Sequence, residues 1–305
     1  MMLPTFFTTQ AASAQEVQAM PTLAQLIRQE KWDEANTYCR LQQNEAIPEI
    51  KAILANPDIS DTTENFIYGC LRQFRTLESA QLLAKGLTEG GAYNSAYGLV
   101  ENPRPEIYPI LKAQQKPVSS AKGGEQARLL LTMAQILVPA EQRIADIQPY
   151  LGAKDYEVRT SAIFGLALLD QPGNMERLTH ELGTDSRQGK WILLQVFYQF
   201  RAWRIPKFVP LLIPVLNDPQ PLEDIGVRLY LPDGSEQSMT PEELRYCRAR
   251  DYALNIIAKT LKLDLPFKLE EHVTYNEEQR ELVKQKLRDL GYTVTNEPYP
   301  VTPES

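Results

Sequence analysis

Apolar residues recur along this chain at the spacing of three and four that places them on one face of an α-helix. Leu23, Leu26 and Ile27 form the first such face, and similar faces follow from residue 21 to residue 290. Turn signals built on proline, glycine and asparagine separate these segments, so each has the length of one short helix. Short two-faced helices cannot bury an apolar face alone and do so by stacking on their neighbours. The pattern therefore predicts an all-α protein, an α-solenoid of stacked helix pairs.

One helix start has a capping signature that can be checked directly. Asp61 precedes an apolar face, and Glu64 follows it three residues later, which resembles a capping box. The sequence therefore predicts that Asp61 caps this helix.

One stretch departs from the helical pattern. Residues 225–239 read IGVRLYLPDGSEQSM, where apolar residues alternate with others and Pro232 to Gly234 form a turn signal. This predicts one small β-hairpin inserted into the helical array. Two interpretations stay open: the hairpin contacts a binding partner, or it covers the last apolar groove.

A second stretch combines aromatic residues with arginine. Trp191 to Phe200 is apolar on nearly all sides, which predicts a helix buried between two neighbours. Arg201, Trp203 and Arg204 follow it and have the composition favoured at interface hot spots. The alternative, a buried Trp203 beside solvated arginines, is the more common arrangement for these residue types.

Length and charge restrict the possible functions. A chain of 305 residues exceeds what one compact core usually holds, which favours two domains or one elongated array. The formal net charge is −7, and the densest basic stretch, Arg245 to Arg250, alternates with acidic residues. Nucleic-acid binding is therefore not expected, because it requires a basic surface. The longest apolar stretch, Phe208 to Leu216, is interrupted by proline, so no transmembrane span is expected.

The N-terminus and the cysteines bear on the compartment. Residues 1–20 contain a small-residue cleavage pattern, Ala12 to Ala14, but no basic residue precedes Arg28. Either the segment is the remnant of a secretory signal, with a periplasmic or secreted protein, or it is an ordinary disordered N-terminus of a cytoplasmic one. Cys39 and Cys70 fall on helices that are close along the chain, and a disulfide between them is an open possibility in an oxidising compartment.

The sequence offers no arrangement that indicates catalysis or metal binding. Nucleophile, phosphate-loop and zinc motifs are absent, and Cys247 has no cysteine or histidine neighbour at a ligand spacing. Glu270, Glu271 and His272 would not converge on one ion, so the segment between Pro266 and a helix that starts near Asn276 is interpreted as a solvated loop. We therefore expect a non-enzymatic protein without a cofactor or metal.

The most specific motif lies at residues 151–169, LGAKDYEVRTSAIFGLALL. Asp155 is predicted to cap a helix, and small residues on one stripe of that helix allow a neighbour to approach closely. Arg159 can reach Asp155 or an acid of the neighbouring repeat. The residues of this motif are Asp155, Val158, Arg159, Ala162 and Gly165. The segment resembles the HEAT repeat, in its bacterial phycobilisome-lyase-like form.

The resemblance implies an armadillo-like scaffold or recognition surface. It divides the chain into an N-terminal helical-repeat region at 21–138, a HEAT-like region at 139–292 and a disordered or clasp-like tail at 293–305. The N-terminal half lacks the valine–arginine pair, so it is either degenerate HEAT or another repeat type. The family also includes phycobilin lyases, so a lyase-like enzyme or chaperone for a tetrapyrrole chromophore is the alternative function.

These observations favour a non-catalytic protein–protein interaction module, such as a bacterial scaffold or an immunity-type inhibitor. It is expected to bind another protein through its concave face and the hairpin. The residues predicted to contact that partner are Arg201, Trp203, Arg204, Arg228, Tyr230, Asp233, Arg245 and Arg248.

Overall fold

The computed structural model describes residues 21–88, 92–184, 189–190, 192–194, 205–221, 248–270 and 274–297. Within these ranges the chain is mostly helical and contains no β-strand, which confirms the all-α class. The predicted hairpin at 225–239 lies outside the described residues. Each helix in these ranges is too short or too polar to reach across a lipid bilayer.

The first part of the chain consists of short helices joined by tight turns. They are α1 (Leu23–Arg28), α2 (Trp32–Gln42), α3 (Ala46–Leu54), α4 (Asp61–Gln73), α5 (Leu77–Gly86), α6 (Ala92–Glu101) and α7 (Tyr108–Ala113). The 3₁₀ turns Gln43–Glu45 and Pro105–Ile107 lead directly into α3 and α7.

The second part continues in the same way. Its helices are α8 (Gly123–Met133), α9 (Ala140–Ile147), α10 (Tyr156–Leu168), α11 (Asn174–Thr184), α12 (Val209–Leu212), α13 (Ala249–Leu261) and α14 (Glu277–Asp289). The 3₁₀ turns in this part are Gln148–Gly152, Pro206–Phe208 and Pro214–Asn217.

The start of α4 corrects one prediction. Asp61 was predicted to cap the helix, but it is the first helical residue, and Ser60 is the cap. Ser60 has an extended backbone, and its Oγ accepts a hydrogen bond of 3.2 Å from the Thr63 amide. The prediction was wrong because two capping residue types stand side by side and either can take the position. Asp61 still places its charge at the positive end of the helix dipole.

Contacts between helices are local in the chain. α4 packs on α5 and α6, α6 on α8, and α10 on both α8 and α11. Polar side chains connect elements over similar separations. Asn94 donates a hydrogen bond of 2.9 Å to Asn65, 29 residues earlier, and Tyr108 donates one of 3.1 Å to Asp146, 38 residues later. The helices are therefore held mainly by neighbours that are near in the chain.

The motif at 151–169 has the geometry that its residues suggest. Oδ1 of Asp155 accepts a hydrogen bond of 3.0 Å from the Val158 amide and so caps α10. Its Oδ2 accepts a second bond, of 3.1 Å, from the amide of Gly123 at the start of α8. Asp155 therefore both caps α10 and ties it to α8.

Small residues on α10 allow close packing. A Cβ atom added at Gly165 would lie 3.3 Å from Cβ of Ala134, so α8 approaches where the side chain is missing. Val158 and Ala162 are fully buried in the cluster between these helices. Arg159 reaches the neighbouring α11, where its Nε donates a hydrogen bond of 2.7 Å to Glu181.

Two cysteines lie in the described part of the chain, and both are buried. Cys39 on α2 and Cys70 on α4 are free thiols in this structure. A hydrogen bond with Cys39, together with burial, raises the pKa of the Cys70 thiol well above its ordinary value. The two thiols are therefore both buried in the core, and Cys39 influences the ionisation of Cys70.

The described part of the tail is held against the helices. Nδ2 of Asn217 donates hydrogen bonds of 2.9 Å to the carbonyl oxygens of Thr295 and Glu297. Residues 293–297 are therefore clasped to the turn that follows α12.

Candidate functional site

One predicted contact residue falls in the described part of the chain. Arg248 stands immediately before α13, at the helix cap. The other predicted contact residues lie outside the described residues, and they are Arg201, Trp203, Arg204, Arg228, Tyr230, Asp233 and Arg245. The surroundings of Arg248 are therefore the region in which the prediction can be examined.

The start of α13 is tied to the turn at residues 218–221. Pro221 and Arg248 form an antiparallel bridge. The amides of Ala249 and Arg250 donate hydrogen bonds of 2.9 Å and 3.1 Å to the carbonyl oxygens of Gln220 and Asp218. Pro221 and Arg248 are consequently adjacent in space, although 26 residues separate them in the chain.

A buried ion pair lies beneath this junction. Nζ of Lys190 contacts Oδ2 of Asp218, and the two side chains are only 3% and 7% exposed. Lys190 also donates a hydrogen bond of 2.8 Å to Gln220. The preceding residue must be glycine, because a Cβ atom at Gly189 would lie 2.2 Å from the carbonyl oxygen of Leu182. The turn that holds α13 is thus anchored by charge as well as by backbone bonds.

Three arginines meet at the start of α13, and we name Arg248, Arg250 and Arg280 the arginine cluster. Arg280 comes from α14 and donates a hydrogen bond to the carbonyl oxygen of Tyr275. The amide of Tyr275 donates one of 3.1 Å to Oδ1 of Asp251. This chain of bonds places the Arg280 guanidinium beside the buried Asp251 carboxylate.

Charge is unevenly balanced in the cluster. Burial raises the pKa of Asp251, although all three arginines oppose this effect. Burial lowers the pKa of Arg250, and the positive charges of Arg280 and Arg248 lower it further. The nearby Glu277 pairs with Arg280 from an exposed position. Among the described residues, two carboxylates therefore face three guanidiniums, which leaves an excess of positive charge.

Arg250 differs from other arginines whose Nε is also buried without a hydrogen-bond partner. Arg104 compensates by donating to the carbonyl oxygen of Arg75, and Arg143 donates at 2.7 Å to that of Ala134. The Arg250 side chain makes no hydrogen bond or ion pair within the described part of the chain. The N–H groups of the Arg250 guanidinium therefore have no acceptor among the described residues.

The polar residues around the cluster have structural roles. Oδ1 of Asn255 accepts a hydrogen bond of 2.7 Å from the Tyr275 hydroxyl, and its Nδ2 donates one of 2.8 Å to the carbonyl oxygen of Glu270. Asp251 and Asn255 thus hold residues 270–275 against α13. Arg248 and Arg250 do not hold another segment in this way. Among the described residues, the Arg248 side chain donates one hydrogen bond, of 3.5 Å, to the carbonyl oxygen of Pro219.

Sequence reasoning missed most of this site. Neither Lys190 nor Arg280 carries a local signal in the sequence for its role. A signal did exist at residues 263–269, where partly buried apolar residues alternate with the exposed residues Asp264, Pro266 and Lys268. This period of two indicates an extended segment with one face on the core, which was not predicted.

The arrangement can bind an anion by charge and hydrogen bonding. In the described ranges, no group of three or more histidine, cysteine or acidic side chains is placed to hold a metal ion. Comparison of the chain with protein-family models, curated proteins and solved structures finds no match.

Proposed function

We propose that this protein is a non-catalytic interaction module, a HEAT-like α-solenoid that binds a partner protein. The local contacts between successive helices support the solenoid, because a stack in series requires each unit to touch mainly its neighbours. Polar bonds at separations of 29 and 38 residues are close to the length of one helical repeat.

The motif region adds support at the level of residues. The contacts of Asp155, Arg159 and Gly165 each join α10 to an adjacent helix. Such contacts are expected where one repeat stacks on the next. They support the resemblance of residues 151–169 to a HEAT repeat.

The observation that carries the binding function is the arginine cluster. Arginine is enriched at interface hot spots, and an unpaired guanidinium that is already partly desolvated is suited to a partner's acidic or carbonyl groups. Arg248 lies nine residues after the predicted insertion at 225–239. Insertions in repeat arrays often lie on the binding face, which makes this junction the favoured contact surface.

The test is capture of a partner by the full chain, followed by reconstitution of the complex from purified components. A variant with Arg248→Glu should lose the complex, because the substitution reverses charge at the proposed surface. The matched control is Arg40→Glu, an equal change at an exposed residue of α2. The control should retain the complex.

Two outcomes would contradict the proposal. Equal loss of the complex in both variants would indicate that the overall charge, and not this surface, governs binding. A visible absorption band in the protein purified from its native host would instead indicate a bound chromophore and favour the tetrapyrrole-handling alternative.

A further inference from the structure

We infer that the arginine cluster is a binding site for a carboxylate group, presented by an acidic segment of the partner protein. The inference rests on the proposed function and names the chemistry of its ligand. It starts from the geometry of Arg248, Arg250 and Arg280 around one buried carboxylate.

The first step concerns the position of the arginines on α13. Arg248 is the cap of this helix, and Arg250 lies in its first turn. The helix dipole places partial positive charge at that end, so a basic residue there opposes folding. The arrangement is therefore unfavourable within the described fold unless negative charge is supplied from elsewhere.

The second step excludes the backbone as the binding element. The first amides of α13, those of Ala249 and Arg250, already donate to the carbonyl oxygens of the 218–220 turn. The next two amides donate to the carbonyl oxygen of Arg248. A ligand at this helix end would therefore be recognised by the guanidinium groups.

The third step concerns the charge of the ligand. In the part of the chain that the structure describes, Asp251 and Glu277 offset two of the three guanidiniums, which leaves about one unit of positive charge for a ligand. A carboxylate carries one negative charge and matches the planar donor pair of an arginine. A phosphate group carries nearly two negative charges at neutral pH and would meet repulsion from the buried Asp251 carboxylate.

The test uses the full chain and two labelled peptides, one rich in glutamate and one with glutamine at the same positions. Binding is followed by fluorescence anisotropy at low ionic strength, where charge interactions are least screened. The glutamate peptide should bind, and the glutamine peptide should bind at least tenfold more weakly, or about 1.4 kcal/mol.

Two substitutions should shift this binding in opposite directions. Arg250→Gln should weaken it about tenfold, because a charge-assisted bond is lost. Asp251→Asn should strengthen it about threefold, because the acceptor for the Tyr275 amide remains while a repelling charge is removed. Arg40→Gln, which changes the net charge as Arg250→Gln does, should alter binding less than about twofold.

Several results would overturn the inference. Equal weakening by Arg250→Gln and Arg40→Gln would mean that binding reflects general electrostatics. A phosphoserine peptide that binds more than tenfold tighter than the glutamate peptide would assign the cluster to phosphate. The melting temperature of Arg250→Gln, which should be unchanged or higher, separates these results from misfolding.

The failure of this inference and that of the proposed function can be distinguished. A partner protein that still binds the Arg250→Gln variant with full affinity removes the carboxylate site and leaves the interaction module in place. If no partner protein is found but the glutamate peptide binds clearly, the carboxylate site is supported and the proposed interaction module is not.

Discussion

The helices α10 and α13 are equally long and similarly buried, but they begin with cap residues of opposite charge. Each has 13 residues, and each is buried on most of its sides. α10 begins with the acidic cap Asp155, which accepts bonds from two backbone amides. α13 begins with the basic cap Arg248, whose side chain makes no capping bond.

The charged residues at the two helix starts have different effects: the acid of α10 stabilises the fold, whereas the arginines of α13 do not. An acid at a helix start satisfies free amides and complements the helix dipole, so the start of α10 favours folding. The start of α13 is held instead by carbonyl groups from the 218–220 turn, and its arginines face the wrong end of the dipole. Residues that oppose stability at a well-anchored position are more simply explained by a role in binding.

The largest expected effect is at the ion pair that anchors the start of α13. Lys190→Ala would leave the carboxylate of Asp218 buried without its counter-charge. A buried pair broken on one side typically costs about 3–5 kcal/mol. We therefore expect the free energy of unfolding, measured by urea denaturation, to fall by about that amount.

The control for this prediction is an exposed pair. Lys51 and Glu78 also contact each other, but their side chains are 49% and 48% exposed. Lys51→Ala should cost less than about 1 kcal/mol, because solvent screens an exposed pair. Similar losses of unfolding free energy in Lys190→Ala and Lys51→Ala would show that burial gives the Lys190–Asp218 pair no additional stability.

The second prediction exchanges the capping chemistry of the two helices. Asp155→Ala removes both acceptors at the start of α10 and should lower the free energy of unfolding by about 1–2 kcal/mol. Arg248→Asp replaces a positive with a negative charge at the positive end of the α13 dipole and should raise it by about 0.3–1 kcal/mol, although the first amides are already bonded and leave no capping bond to gain. Thermal and urea unfolding of the two variants measure both signs. Destabilisation by Arg248→Asp would mean that Arg248 stabilises the fold, and the case for a binding role would weaken.

The contrast between the helices also explains what the sequence could predict. The role of Asp155 was visible because capping, helix periodicity and close packing depend on residues within one or two turns. The same holds for the apolar faces of α1 and α2. Such local rules were sufficient for the all-α class and for the geometry of the 151–169 motif.

The site depends on residues that are distant in the chain, and local rules could not find them. Lys190 meets Asp218 across 28 residues, and Arg280 reaches Asp251 through Tyr275. In sequence each of these looks like an ordinary surface charge. Their burial follows from how helices and turns pack, and no spacing in the sequence encodes that.

The smallest expected effect is the dependence of stability on pH at Asp251. Burial is the main cause that raises its pKa above the ordinary 3.8, against the opposing charges of Arg250, Arg280 and Arg248. A raised pKa means that the folded state binds the proton more tightly than the unfolded state does. Its contribution to stability is therefore fully present below pH 3.8 and is lost as the pH rises through the folded-state value.

Comparison with Asp251→Asn isolates this contribution, because asparagine does not ionise and keeps an acceptor for the Tyr275 amide. As the pH falls from neutral toward 3.8, the parent protein should gain stability relative to the variant in urea denaturation. The opposite trend would mean that the hydrogen bond from the Tyr275 amide and the three arginines together outweigh burial. The excess of one guanidinium among the described residues would stay the same, because that count already treats Asp251 as ionised at neutral pH.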